Sequence, residues 1–136
     1  MRNYYYGGDN LHLILGGRYM GKEDYARKIY GTFAETYNLA HEAPENITSP
    51  GLITELHMGV KSLISRNINA PEFFARRLEV LRPSVIIGDE ISCGVVPVDE
   101  FSRQWRTETG QVYQLLAREA DIVDRIFAGL SLRLKG

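Results

Sequence analysis

The chain has little cysteine, no long apolar run and almost no net charge. Cys93 is the only cysteine among 136 residues, so an internal disulfide is excluded, as is common in reducing compartments. No apolar run approaches the roughly 20 residues that cross a bilayer. A net charge of −1 provides no basic field for nucleic acid or an anionic membrane. We therefore expect a cytoplasmic protein with no membrane span and no nucleic-acid partner.

The remaining composition is that of a globular domain. Hydrophobic residues make up 44% and charged residues 24% of the chain, and 136 residues are enough for one domain with a core. We predict a single domain over 1–136. The first residues lack the apolar stretch of a signal peptide, and Tyr4, Tyr5 and Tyr6 indicate a surface or interface patch.

A glycine-rich segment after an apolar run at 11–15 is the most informative part of the sequence. It has the pattern G-x-x-x-x-G-K, which is typical of phosphate-binding loops. Glycines let backbone N–H groups point at phosphate oxygens, and a following helix adds its positive end. The predicted nucleotide-binding residues are Gly16, Gly17, Arg18, Tyr19, Met20, Gly21, Lys22 and Glu23.

The residue after the lysine departs from this pattern. Glu23 stands where a serine or threonine hydroxyl would bind Mg²⁺. A carboxylate oxygen suits Mg²⁺, but its charge repels a triphosphate. We expect weakened or altered binding of the Mg–nucleotide. The alternative is a glycine turn that binds nothing.

Strands and helices alternate along the whole chain. Helical spacing covers 22–37, 57–65, 71–81 and 99–124; apolar strand patterns cover 11–15, 52–56 and 85–90, with a final strand or hairpin at 126–134. Loops are predicted at 41–51 and 95–97. This alternation predicts an α/β fold with a mostly parallel sheet flanked by helices.

Two carboxylates end the strand predicted at 85–90. Ligands bind at the carboxyl ends of parallel strands, but neighbouring side chains point to opposite faces, so only one of Asp89 and Glu90 faces a given site. Glu90 is a candidate general base or holder of Mg²⁺-bound water. The alternative is an ion pair with Arg103 or Arg106.

The histidines offer weaker signals. His12, His41 and His57 show no metal-ligand spacing with Cys93. His12 lies in an apolar strand pattern and is expected to be a packed residue.

The segment 89–97 resembles the signature of a known family. It reads D-E-I-S-C-G-V-V-P and resembles the N-E-V-G-x-G-I-V-P signature of the bifunctional adenosylcobinamide kinase/adenosylcobinamide-phosphate guanylyltransferases of cobalamin synthesis. The next helix resembles their R-x-F-R-D-x-x-G-x-x-N-Q pattern, which this chain keeps at Arg103, Arg106, Gly110 and Gln114.

Three further segments carry the same resemblance. Residues 128–135 are similar to the family's closing S-G-I-x-x-K-I-K strand. The glycine loop is similar to G-G-x-R-S-G-K-S at Gly16, Gly17, Gly21 and Lys22. Residues 53–64 resemble a strand and helix in which Glu55 falls on an acidic position.

The resemblance implies a fold and a reaction. The fold is that of P-loop NTPases (RecA-like), and the reaction transfers phosphate from ATP or GTP, with Mg²⁺, to the hydroxyl of adenosylcobinamide. Lys22, Glu55 and Glu90 would then be catalytic, and Glu23 and Glu55 would be metal ligands. Glu55 could instead be a strand-end carboxylate that caps the next helix. The expected partners are a nucleoside triphosphate, a corrinoid substrate and further copies of the chain in a homo-oligomer.

The chain also departs from the family. It is shortened between the first helix and Glu55, where family members carry the histidine that accepts GMP, and only His41 lies in the shortened region. We therefore expect guanylyl transfer to be lost. The alternative function is a catalytically degenerate nucleotide- or corrinoid-binding, or interaction, protein.

Overall fold

The structure is a computed structural model that describes residues 10–91 and 99–136. These residues form a sheet of six strands in the order β2-β3-β4-β1-β5-β6. The strands from β2 to β5 are parallel to their neighbours, and only β6 runs antiparallel, against β5. The predicted α/β fold with a mostly parallel sheet is confirmed.

The sheet and its helices alternate along the chain. The strands are β1 (His12–Gly16), β2 (Thr36–Asn38), β3 (Leu52–Thr54), β4 (Val85–Asp89), β5 (Ile122–Phe127) and β6 (Leu130–Lys135). The helices are α1 (Lys22–Tyr30), α2 (Leu56–Ser65), α3 (Ala70–Ala75), α4 (Leu78–Leu81) and α5 (Glu100–Glu119), with a short 3-10 helix at Pro44–Asn46. No helix among these described elements is long and apolar enough to cross a membrane.

Helices cover both faces of the central strands. Because side chains alternate along a strand, Leu13 and Ile86 enter the larger core beneath α2, α3 and α5, whereas Ile14 and Ile87 enter a smaller core beneath α1. Strands covered on both faces read as continuous apolar runs, which is why 11–15 and 85–90 were predictable as strands.

The central register determines where the glycine loop lies. β1 lies between β4 and β5, and its last residue, Gly16, is level with Asp89 and Ile126. The loop that follows β1 therefore begins directly beside the carboxyl end of β4. A Cβ atom on Gly16 would lie 2.5 Å from the Ile126 carbonyl oxygen, so this close approach requires glycine.

The first predicted helix is too long. α1 ends at Tyr30, where Gly31 takes a positive φ of 76° and its N–H bonds to the Arg27 carbonyl. Thr36–Asn38 then forms β2 beside β3. The four-residue spacing that predicts a helix up to Tyr37 continues by coincidence into β2, which is a strand because it pairs with β3.

The long C-terminal helix was also predicted to run too far. Asp99 caps α5 by accepting the Ser102 N–H at 2.7 Å, but α5 ends at Glu119 and Ile122–Phe127 forms β5. Apolar residues near 122–126 continue the helical spacing, and sheet pairing with β1 overrides it. β5 and β6 form a hairpin, as one of the two predicted alternatives for 126–134 proposed, although β5 starts earlier.

Smaller differences concern the middle of the chain. Glu55 has a left-handed backbone (φ 60°) that ends β3 after Thr54, so α2 starts at Leu56. The helix predicted over 71–81 is divided into α3 and α4. The predicted loop at 95–97, Cys93 and the tyrosines at 4–6 lie outside the described residues.

Candidate functional site

The site is built where β1, β3 and β4 end. The glycine loop leaves β1 at Gly16 and enters α1 at Lys22, so the N-terminus of α1 faces the carboxyl edge of the sheet. Gly21 before the helix has φ 93°, and Tyr19 is left-handed with φ 63°. Tyr19 is 88% exposed, so its side chain projects from the loop rather than packing under it.

Lys22 crosses the loop and reaches β4. Its Nζ donates to the Gly17 carbonyl at 2.7 Å and lies 2.8 Å from Asp89 Oδ1. Both side chains are buried, with exposures of 7% and 10%. A buried lysine with one carboxylate and one carbonyl is well positioned to exchange those partners for phosphate oxygens, because all three are acceptors for the same ammonium group.

Asp89, not Glu90, faces the loop. Asp89 lies beside Lys22, while Glu90 forms a two-point ion pair with Arg125 at 2.8 Å and 3.0 Å. This division confirms that neighbours at the end of β4 point to opposite faces. The partner of Glu90 is Arg125 on β5 rather than the predicted Arg103 or Arg106.

A buried histidine completes the site, and the sequence analysis missed it. His57 lies in the first turn of α2, and one ligand atom each from Glu55, His57 and Asp89 lie within 4.8 Å of one another. The His57 Nε2 atom is 3.4 Å from Asp89 Oδ2 and 3.8 Å from Glu55 Oε1. Burial lowers the pKa of His57, against the opposing effect of the two carboxylates, so the ring is neutral at pH 7.

The hydrogen bonds of His57 limit what it can ligate. Its Nδ1 accepts the Asp89 backbone N–H at 3.1 Å. In a neutral imidazole this bond assigns the proton to Nε2, which leaves no lone pair there for a metal ion. Metal ligation would therefore fall to the oxygens of Glu55 and Asp89, a donor type that suits Mg²⁺ better than Zn²⁺.

Lys22, Glu55 and Asp89 line one open cavity of about 420 Å³. The cavity has residues of the glycine loop and of the start of α1 on one side and the ends of β3 and β4 on the other. Its lining residues are Arg18, Tyr19, Gly21, Lys22, Glu23, Asp24, Thr54, Glu55, Ile87 and Asp89. Ligand sites at the carboxyl ends of parallel strands are typical of α/β folds.

The other predicted loop residues have separate contacts. Glu23 lines the cavity, but its carboxylate pairs with Arg27 one turn along α1 at 3.1 Å, and it is not part of the cluster around His57. Met20 faces the β5–β6 turn, where its sulfur accepts the Ala128 N–H. Arg18 lies over the Tyr19 ring, 5.1 Å from the centroid.

Two side chains of α5 hold the end of β4 and the start of α2 in place. Trp105 Nε1 donates to the His57 carbonyl at 2.7 Å, and the Tyr113 hydroxyl donates to the Asp89 carbonyl. Burial raises the pKa of Tyr113, so this hydroxyl keeps its proton and remains a donor. Thus α5 holds both the first turn of α2 and the end of β4.

The fold and cavity together define a class: an α/β protein with a glycine loop, a lysine and carboxylates gathered at the carboxyl edge of a parallel sheet. Comparison with known proteins narrows the class. The family model of cobinamide kinase / cobinamide phosphate guanyltransferase matches residues 52–134, which is more than half of the chain. The chain therefore belongs to this family.

A curated relative agrees with that assignment. A segment of 52 residues is 36% identical to the bifunctional adenosylcobalamin biosynthesis protein CobP of Pseudomonas aeruginosa. The match covers 38% of this chain and 30% of the relative. The chain thus spans less than a third of the curated relative's length in this match, and the family match itself begins after the glycine loop.

Proposed function

We propose that the chain is a nucleotide-dependent kinase that phosphorylates the hydroxyl of cobinamide with ATP or GTP. The observation that carries this proposal is the placement of Lys22, which bridges the glycine loop and Asp89 inside the cavity. Phosphoryl transfer depends mainly on positioning and charge neutralisation, and a buried ammonium at a helix N-terminus supplies both.

The roles of the residues follow from their places. Lys22 and the N–H groups of the loop from Gly16 to Gly21 would hold the triphosphate. Asp89, with Glu55 or Glu23 as the sequence analysis predicted, would hold Mg²⁺, which would supply positive charge to the triphosphate. Glu90 would act by orienting Arg125, since its carboxylate is already paired with that arginine.

The histidines support the absence of guanylyl transfer through this chain's own residues. His12 is 1% exposed and bonds to Asp124 and Tyr30, and His57 is held by Asp89. His41 is exposed but lines a different cavity, between the end of β2 and α2. A nucleotide bound at the glycine loop would therefore meet no accessible histidine nucleophile.

A transfer assay tests the kinase. The full chain is incubated with γ-labelled ATP or GTP, Mg²⁺ and cobinamide, and labelled cobinamide phosphate is measured. We expect transfer that Lys22→Ala abolishes and that Lys28→Ala, an exposed lysine on the same helix, leaves intact. Nucleotide binding without transfer in the wild type would favour the degenerate binding protein instead, in keeping with the Arg27 pairing of Glu23.

We also propose that the chain forms a homo-oligomer through the β5–β6 hairpin. Phe127, Leu130, Leu132 and Leu134 are 56–73% exposed, and the three leucines alternate along β6 so that they share one face. An apolar strip of this kind indicates a protein contact. Sedimentation of the wild type and of Leu132→Glu tests it: we expect an oligomer that the glutamate converts to monomer, and a monomeric wild type would refute the proposal.

A further inference from the structure

One buried polar group beside the cavity residues Glu55 and Asp89 is not used by the proposed phosphate site. The His57 side chain is 5% exposed and is fixed at two points, because Nδ1 accepts the Asp89 N–H and the backbone carbonyl accepts from Trp105. Its Nε2–H therefore has a fixed direction. It is a neutral donor aimed between two carboxylates.

The distances around Nε2 leave room for one more atom. Asp89 Oδ2 at 3.4 Å and Glu55 Oε1 at 3.8 Å are both farther away than the about 2.9 Å typical of an N–H···O bond. A point between the three atoms in their own plane is too close to each for a hydrogen bond, so an oxygen atom about 2.9 Å from all three would lie to one side of that plane. This oxygen would accept the hydrogen bond from Nε2–H and would lie beside two carboxylate oxygens, those of Asp89 and Glu55.

The donor and the two carboxylates determine which chemical group can bind between them. The bound oxygen must accept one hydrogen bond and donate one to a carboxylate, which a hydroxyl does. A phosphate group is mostly deprotonated at neutral pH, and its negative charge would be repelled by Glu55 and Asp89. A metal ion cannot accept the Nε2–H. The remaining ligands are water and an alcohol.

We propose that Glu55, His57 and Asp89 form a hydroxyl subsite that binds the alcohol group of the phosphoryl acceptor. This inference rests on the proposed function for the identity of the acceptor, cobinamide. Asp89 already has Lys22 as a counterion at 2.8 Å, so Glu55 is the carboxylate that takes the hydroxyl proton. Glu55 was predicted to have a catalytic role and a metal-binding role. In this subsite it has the catalytic role, as the proton acceptor.

The step balances without a further reagent. The alcohol oxygen forms a bond to the γ-phosphorus while the bond from that phosphorus to the β–γ bridging oxygen breaks. The nucleoside diphosphate leaves with the bonding electrons, and the alcohol proton moves to Glu55. His57 keeps its proton throughout and donates a hydrogen bond to the attacking oxygen.

Two matched variants separate the Nε2–H donor from the rest of the ring. In His57→Asn the amide oxygen can still accept the Asp89 N–H, but no donor remains at the Nε2 position. In His57→Gln the amide nitrogen reaches that position. Binding of cobinamide is measured by calorimetry in the presence of Mg²⁺ and a non-hydrolysable nucleotide, alongside an analogue in which the acceptor hydroxyl is replaced by hydrogen.

We expect His57→Asn to weaken cobinamide binding about tenfold, to leave binding of the analogue unchanged and to change nucleotide affinity less than about twofold. His57→Gln should recover most of the loss. ¹⁵N NMR of the wild type should report the Nε2–H tautomer. As a second variant at a more exposed position, Glu55→Gln should lower kcat about a hundredfold with the Mg²⁺ dependence unchanged.

Several results would overturn the subsite. These are equal losses for cobinamide and its analogue, an Nδ1–H tautomer, or a Glu55→Gln variant whose defect is cured by excess Mg²⁺. Wild-type protein that binds nucleotide but not cobinamide also overturns it and leaves the phosphate loop standing. A hydroxyl-dependent effect of His57→Asn without any nucleotide binding would support the subsite and refute the kinase.

Discussion

Asp124 holds together a buried polar network beneath α1, and its replacement by asparagine should strongly destabilise the fold. One carboxylate oxygen accepts from His12 Nε2 at 2.7 Å and from the Tyr25 hydroxyl at 2.9 Å, and the other accepts from Arg133 Nε at 2.5 Å. His12 Nδ1 in turn pairs with the Tyr30 hydroxyl at 2.6 Å. The network connects β1, β5, β6 and α1.

The size of the effect follows from burial. Asp124 and His12 are each 1% exposed, whereas Arg133 is 48% exposed, so the arginine contributes little. Burial alone would raise the pKa of Asp124, but the hydrogen bonds from Arg133, Tyr25 and His12 outweigh burial and lower it, so the group is ionised. In Asp124→Asn an NH₂ group replaces one of the two carboxylate oxygens. In either orientation of the amide, this NH₂ group faces a hydrogen-bond donor and cannot accept its bond. Hydrogen bonds to charged groups are worth about 1.5–3 kcal/mol, so we expect a loss of about 2–4 kcal/mol.

Equilibrium unfolding in urea, followed by circular dichroism, measures this loss. The total stability of a domain is about 5–15 kcal/mol, so the midpoint should fall clearly while the slope stays the same. Glu79→Gln, at an exposed position on α4, is the control and should change stability by less than about 0.5 kcal/mol. A loss for Asp124→Asn as small as that of the control would refute the account of the network.

Three further predictions concern the same elements. Burial lowers the pKa of both His12 and His57 below the ordinary 6.5, so the unfolded chain binds more protons than the folded chain below that pH. The stabilising contribution of these histidines should therefore be complete above pH 6.5 and should fall as the pH drops toward 5. Urea midpoints that stay constant from pH 7.5 to 5 would contradict this. Gly16→Ala should cost about 1–3 kcal/mol in thermal unfolding because its Cβ meets a backbone oxygen 2.5 Å away, whereas Gly110→Ala, with nothing within 4 Å in the middle of α5, should add about 0.5–1 kcal/mol; the same sign for both would be inconsistent with the packing. Asp89→Asn should tighten nucleotide binding in EDTA several-fold, since Lys22 no longer has a carboxylate partner, and should reduce the increase in nucleotide affinity that Mg²⁺ causes. Calorimetry with and without Mg²⁺ measures both effects, and weaker binding in EDTA with an unchanged effect of Mg²⁺ would contradict the prediction.

The features that were predictable from sequence are those that depend on local patterns. Continuous apolar runs marked β1 and β4, and glycine spacing marked the loop between β1 and α1. Alternation of side chains separated Asp89 from Glu90. The family motifs indicated the family to which the chain belongs.

The features that were not predictable depend on pairing between distant segments. The apolar residues of β5 continue the spacing of α5 and so predict a helix, and only the position of this segment beside β1 makes it a strand. The spacing of His57 does not predict a site residue, because the Asp89 N–H that fixes its ring lies 32 residues away in the sequence. The nearest available signal was its position two residues after Glu55, at the end of a strand that neighbours β4.

The dependence of nucleotide binding on Lys22 shows whether the glycine loop binds phosphate. ATP and GTP, each with and without Mg²⁺, are titrated into the wild type, Lys22→Ala and Lys28→Ala by calorimetry. We predict micromolar binding of at least one nucleotide to the wild type and to Lys28→Ala, and its loss in Lys22→Ala. Failure of both nucleotides to bind the wild type, or equal binding to Lys22→Ala, would contradict a phosphate-binding role for the loop.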